Sequence, residues 1–149
     1  MTEIQSAMGR VLLRKLPQSI EVRRDLAAML TERFSQIPAL RVTRPGPEVL
    51  HSYYKYYVFL RTERLRNGWD RQRILEAINA EGVPYFVGSC SEIYLERAFP
   101  EKMRPPERLT VDRHLGETAL MFLVHSTLGR MDMQDTADAV EKVMACAAK

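Results

Sequence analysis

Residues His51 to Leu60, HSYYKYYVFL, hold four tyrosines, a phenylalanine, a valine and a leucine, with no glycine or proline. Aromatic and β-branched side chains suit a pleated, packed surface, so this run reads as a strand. Successive side chains of a strand point to opposite faces. Tyr54, Tyr56, Val58 and Leu60 therefore share one face, expected to meet a helix-covered core. His51, Tyr53, Lys55, Tyr57 and Phe59 share the other, a mixed face suited to lining a cleft. The turn-rich Arg44-Pro45-Gly46-Pro47 and the polar Arg61-Thr62-Glu63-Arg64 bound the run on its two sides.

The elements around this strand follow from periodicity and punctuation. Ile4, Ala7, Met8, Val11, Leu12 and Leu16 give Thr2 to Leu16 the stripe of an amphipathic helix. Pro17 removes a backbone donor and disfavours the α conformation at Leu16, so a break or kink is expected there, with a second helix from Gln18 to Gln36. Leu40 to Thr43 is a short strand candidate. Asp70 is placed to cap a helix carrying Ile74, Leu75 and Ile78, which Gly82 then ends in a left-handed conformation. Val83 to Val87 reads as another strand. Ser89 and Glu92 have the spacing of a capping box opening a short helix, and Thr110 is placed to cap another that ends near Gly116. Ala119 to Val124 is a continuous apolar run, as in a strand buried on both faces. Asp132 is expected to open the last helix, with Ala137, Val140, Val143, Met144 and Ala147 on its inner face.

These elements make an α+β fold, a small antiparallel or mixed sheet packed by helices and preceded by two N-terminal helices. At 149 residues the chain fits one domain, 1–149, divided into leading helices over 1–37 and an α/β layer over 38–149. The first helix carries a broad apolar stripe ahead of everything it might pack against, so it is expected to meet surface outside this chain, in a homo-oligomer or against a further domain. The N-terminal segment lacks the apolar core of a signal peptide and no 18-residue apolar stretch is present, which points to the cytoplasm and to no membrane partner. A net charge of +3 is spread over arginines scattered among nearly as many acids, so no nucleic-acid surface is expected.

The residues suited to chemistry are few. The seven glycines form no phosphate-binding loop. His51, His114 and His125 lack ligand spacing, and no metal site is expected. Cys90 falls at an expected helix N-terminus, which favours a thiolate, and His125 is the base such a nucleophile would need; the plainer reading is a small residue in a tight turn. Glu92 and Glu96 lie one helical turn apart, a common spacing.

Four blocks in order, MTEIQSAMGRVLLRKL, HSYYKYYVFLR, GWDRQRILEAINAEGVPYFVGSCSEIYLERAF and LGETALMFLVHSTLG, resemble the C-terminal part of the DegT family. These are pyridoxal-phosphate-dependent aminotransferases of fold type I, many acting on keto-sugars attached to nucleotides. The resemblance covers nearly the whole chain and implies the small C-terminal domain with the helix leading into it. It implies pyridoxal phosphate as cofactor of the parent enzyme, held by an N-terminal domain expected to be absent here. The five lysines, Lys15, Lys55, Lys102, Lys142 and Lys149, match no part of the family's lysine loop, so no covalently bound cofactor and no catalytic residue are expected in this chain. The resemblance points to His51, Tyr53, Ser89, Cys90, Glu92, Tyr94 and His125 as substrate-binding positions. Ser126 departs from the His-Pro-Thr-Leu pattern of the family and is expected to loosen the turn that holds His125.

The function these observations imply is the substrate-side domain of an aminotransferase acting on a keto-sugar or similar small substrate, not catalytic alone. Two rivals are a non-catalytic dimerising or effector-binding α+β module and an independent cysteine-nucleophile enzyme built on Cys90.

Overall fold

In the computed structural model, which describes residues 1–84, 86–88 and 90–149, the aromatic run supplies the middle strand of the sheet. Strand β1 (Leu40–Val42) pairs with β2 (Tyr56–Leu60), and β2 with β3 (Ala119–Phe122), all antiparallel in the order β1-β2-β3. Tyr56 lies opposite Phe122, Val58 opposite Leu120, and Leu60 opposite Leu40. These side chains form one buried face, because alternation puts every second residue on the same side. Helices α1 (Glu3–Phe34), α2 (Arg71–Ala80) and α4 (Arg130–Ala147) close that face, and α3 (Thr110–Thr118) lies against β2. The core joins Leu26, Leu30 and Phe34 of α1 to Ile74, Leu75 and Ile78 of α2 and to Met133, Val140 and Met144 of α4. Each such side chain contributes about 1.5–3 kcal/mol on full burial. The α+β class with an antiparallel sheet is the one the sequence implies.

Local signals place several boundaries. Thr2 and Gln5 exchange side-chain-to-backbone hydrogen bonds in a capping box at the start of α1. The Asp70 carboxylate accepts from the Arg73 amide at 2.8 Å, and Gly82 sits at φ +91 just past α2. Asp132 acts from inside α4: its carboxylate accepts the Gly129 amide at 2.7 Å, and the helix begins at Arg130. The inner face of α4 is the expected one.

Other expectations are corrected. The leading region is one helix of 32 residues, with Pro17 inside it and no second start. Proline removes one internal hydrogen bond, whereas the helix formers on both sides, a capped start and an anchored C-terminal half favour continuation. The N-terminal half of α1 stands clear of the domain, with Ile4, Met8, Leu12 and Leu13 more than 60% exposed.

The aromatic strand is also shorter than its sequence suggests. Tyr53 has φ +45, a left-handed backbone that breaks the alternation, and β2 starts only at Tyr56. Tyr54, expected in the core, is 74% exposed, while Tyr53 packs against the core in its place. Among the described residues of 83–87, pairing reduces to a single bridge between Phe86 and Met121. The helix expected after Ser89 is one 3-10 turn, Ile93–Leu95, and Ser89 itself lies outside the described residues. Thr110 is the first residue of α3 and not its cap; the helix runs past Gly116 to Thr118.

Candidate functional site

Two of the chain's openings lie on the sheet's second face. Arg41, Tyr57, Phe59, Ala119 and Met121 share it by register. Two clefts meet there at Tyr57. The first, about 550 Å³, is lined by His51, Tyr53, Tyr54, Lys55 and Tyr57 together with Thr43, Pro45 and Val49. The second, about 290 Å³, is lined by Tyr57, Phe59, Val87, Cys90, Ser91, Asp112 and the end of α3.

An aromatic series fixes the first cleft to the core. The His51 and Tyr53 rings meet edge-on at 4.3 Å between centroids, and Tyr53 stacks at 6.1 Å on Tyr56. Tyr56 in turn meets Phe34 at 6.1 Å, and Phe34 meets Phe122 at 5.3 Å. The Tyr56 hydroxyl shares a hydrogen bond of 2.9 Å with Thr31, and burial pushes its pKa up to about 12, so it stays a neutral phenol. The left-handed turn at Tyr53 lets its amide donate to His51 Nδ1 at 3.1 Å. In the neutral ring this leaves the proton on Nε2, so His51 offers one N–H donor of defined tautomer. The Lys55 ammonium lies 5.8 Å from the Tyr54 ring centroid. The cleft thus offers phenol rings, an imidazole and one cation. Among its described lining residues there is one amine, Lys55, and no carboxylate. That donor set does not fit a complete pyridoxal-phosphate site, which needs an acid for the pyridine nitrogen as well as an amine.

The second cleft contains Cys90, whose environment opposes the thiolate that a helix N-terminus would favour. The thiol donates to Glu96 Oε1 at 3.2 Å, and that bond together with desolvation raises its pKa. Among the described residues, the helical segment that follows it is a single 3-10 turn, Ile93–Leu95. His125 does not approach it: Cys90 shares its cleft with Ala119, at the start of β3, whereas His125 lies past the strand's other end. The Thr127 amide donates to His125 Nδ1 at 3.3 Å, and the Thr127 hydroxyl lies 2.9 Å from the same atom. The Leu128 amide closes the turn onto the His125 carbonyl at 2.9 Å, with Ser126 inside it. The cysteine–histidine pairing suggested by the sequence is therefore not assembled.

Glu92 and Tyr94 belong to a polar cluster with a residue the sequence did not single out, Arg108. Glu92 Oε1 accepts from Arg108 Nε at 2.9 Å and from the Tyr94 hydroxyl at 2.7 Å, while Oε2 accepts from the other arm of the same guanidinium. These partners, Arg108 first, hold the Glu92 carboxyl down at about 2. The Tyr94 oxygen accepts the Leu109 amide at 3.0 Å, just before α3. No spacing rule links positions 92 and 108, so only the tertiary fold reveals this pair. Among the described residues no group of three or more His, Cys, Asp or Glu is arranged to hold a metal, and no helix is long and apolar enough to cross a membrane.

Comparison with known proteins agrees with this architecture. An aminotransferase from Psychrobacter cryohalolentis superposes with a TM-score of 0.91 at 40% identity, covering 98% of this chain and 39% of that one. Helicobacter pylori PseC, an aminotransferase involved in pseudoaminic acid biosynthesis, shares the fold with a TM-score of 0.82 at 20% identity, covering 98% of this chain and 38% of that one. DesV of S. venezuelae, solved with a ketimine intermediate, does so with a TM-score of 0.83 at 19% identity, over 97% and 37%. This chain thus spans about two fifths of the length of each. The model of the DegT/DnrJ/EryC1/StrS aminotransferase family matches residues 1–141. The chain therefore belongs to the DegT/DnrJ/EryC1/StrS family of pyridoxal-phosphate-dependent aminotransferases.

Proposed function

We propose that this chain is the substrate-side part of a sugar aminotransferase, holding a keto-sugar or similar amino-acceptor while residues outside the chain carry pyridoxal phosphate. The observation that carries this reading is the family match over residues 1–141 together with coverage of only 39% of the Psychrobacter enzyme. The first cleft supports it chemically. Phenol hydroxyls and an imidazole N–H suit a hydroxylated substrate, and aromatic walls exclude water from the reacting end. His51 and Tyr53 form the binding edge in this reading, with Cys90 on the adjoining wall. His125 is a more remote contact, reached by substrate only past the end of β3. The exposed apolar half of α1 is the surface that meets the cofactor-bearing domain, in an oligomer of complete cytoplasmic enzymes.

The test is a chimera in which residues 1–149 replace the corresponding part of the Psychrobacter cryohalolentis aminotransferase. Turnover of a keto-sugar by the chimera, with none by this chain alone in the presence of pyridoxal phosphate and an amino donor, is the expected result. A folded chimera without turnover counts against the reading. So does an internal Schiff-base absorbance in the isolated chain that is lost when a single lysine, Lys55 first, is replaced by alanine.

A further inference from the structure

Val87, Cys90 and Ser91 belong to a segment over the outer face of the sheet and line its second cleft. The Phe86 carbonyl accepts the Met121 amide at 3.0 Å, which attaches the segment to β3. Gly88, at φ +95, lies against the Tyr57 ring so closely that a Cβ there would be 2.6 Å from a ring carbon. Ser91 is seated on α3 at Gly116, where an added Cβ would be 2.8 Å from the Ser91 Cβ. Two glycines thus allow a close approach, but neither holds the segment in place. The attractive tie comes next along the chain. Glu92, with only 13% of its side chain exposed, is gripped through both oxygens by Arg108 and receives the Tyr94 hydroxyl. Tyr94 carries the tie to the amide of Leu109 at the start of α3.

We propose that Glu92 is a positioning residue: clamped between Arg108 and Tyr94, it fixes the segment bearing Cys90 and Ser91 as the wall of the second cleft. A carboxylate whose two oxygens are committed to a guanidinium and a phenol has little capacity left for a substrate. Its charge is also matched by the Arg108 guanidinium. The consequence for substrate rests on the reading of the outer face as the substrate side; the positioning itself does not.

Cys90 reports on the clamp, because its thiol is bonded within the held segment, to the Glu96 carboxylate and to the Glu92 backbone, with the Glu96 bond the larger influence on its pKa. The experiment follows iodoacetamide labelling of the 149-residue chain at neutral pH, with exposed Cys146 on α4 as internal reference. In R108M and E92Q the Cys90 rate is expected to rise about fivefold while Cys146 is unchanged, since the thiolate is the reactive species and its fraction grows tenfold for each unit by which the thiol pKa falls. The pH–rate profile of Cys90 moves to lower pH by the same argument, and R108K, which keeps the charge but loses the two-armed grip, falls between. Should R108M fail to fold, Y94F preserves side-chain volume and the Glu92 charge and gives the same readout, whereas E92Q also removes a carboxylate that itself raises the Cys90 pKa. An unchanged Cys90-to-Cys146 ratio in the folded variants overturns the proposal. An equal rise at both cysteines also overturns it, because it marks general loosening. Labelling decides the clamp without any transaminase assay, so its failure is distinguishable from failure of the functional reading.

Discussion

The two faces of the three-stranded sheet carry residues from the same strands and differ in how they are closed. On the inner face Tyr56, Val58, Leu60, Leu120 and Phe122 are all buried under α1, α2 and α4. Contact there is mostly between apolar side chains, and many such neighbours share the stabilisation. On the outer face Tyr57 and Phe59 are only half-covered, and the segment over them is attached by one backbone bridge and one charged cluster. Closure by many weak contacts leaves a smaller opening, about 210 Å³ beside Phe122 and Met133, than the openings of about 550 and 290 Å³ left by closure through a few directional ones. That difference explains why the candidate site lies where it does.

The contrast is sharpest in what a substitution removes. Phe34 touches both Tyr56 and Phe122 at the centre of the inner face, and F34A is expected to cost about 3–5 kcal/mol in denaturant unfolding, since the emptied volume cannot collapse against three packed helices. A cost under about 1 kcal/mol would mean that the inner face is not close-packed. On the outer face G116A gives a smaller effect with an instructive sign. The added methyl meets Ser91, so overpacking of about 1–3 kcal/mol opposes a gain of about 1 kcal/mol in helix propensity. In an S91G background the clash is gone, and the same G116A substitution is expected to become neutral or stabilising. Additive effects of the two substitutions would show that Ser91 does not sit on Gly116.

Legibility in the sequence divides along the same line. The inner face was written in local periodicity: Ile74, Leu75 and Ile78, the stripe of α4 and the alternation from Tyr56 to Leu60 all appear as expected. Caps such as Asp70 and the left-handed Gly82 were equally visible, because each acts within a few residues of itself. The outer face depends on departures from periodicity. The left-handed turn at Tyr53 exchanges the environments of Tyr53 and Tyr54, and a tyrosine carries no sign that its φ will be positive. The Glu92–Arg108 pair joins positions far apart in sequence, and the capping-box pattern at Ser89 and Glu92 offered that carboxylate a different, local partner. Pro17 misled for the converse reason: a local breaker was outweighed by a helix much longer than the window it was read in.

A milder perturbation on the inner face removes one oxygen. In Y56F the Thr31 hydroxyl loses its 2.9 Å partner in a half-buried setting, and about 1 kcal/mol of stability should be lost with the fold intact. No change would indicate that water replaces the phenol. The corresponding loss on the outer face is electrostatic and depends on pH. Arg108 and Tyr94 hold Glu92 at about 2 when folded, below its ordinary 4.5, so the group favours folding wherever it is ionised in both states. Its contribution is complete above about pH 4.5 and disappears as pH falls towards 2, where the folded carboxyl also takes up its proton. Wild type should therefore exceed E92Q in stability by a constant margin from neutral pH to about 5, and the two unfolding curves should converge between about 4.5 and 2. Because Arg108 is half exposed, added salt should reduce that margin, whereas the loss in Y56F should not respond to salt. A margin independent of both pH and salt would mean that Glu92 acts through packing alone, and the charged clamp would then differ in no essential way from the apolar closure on the opposite face.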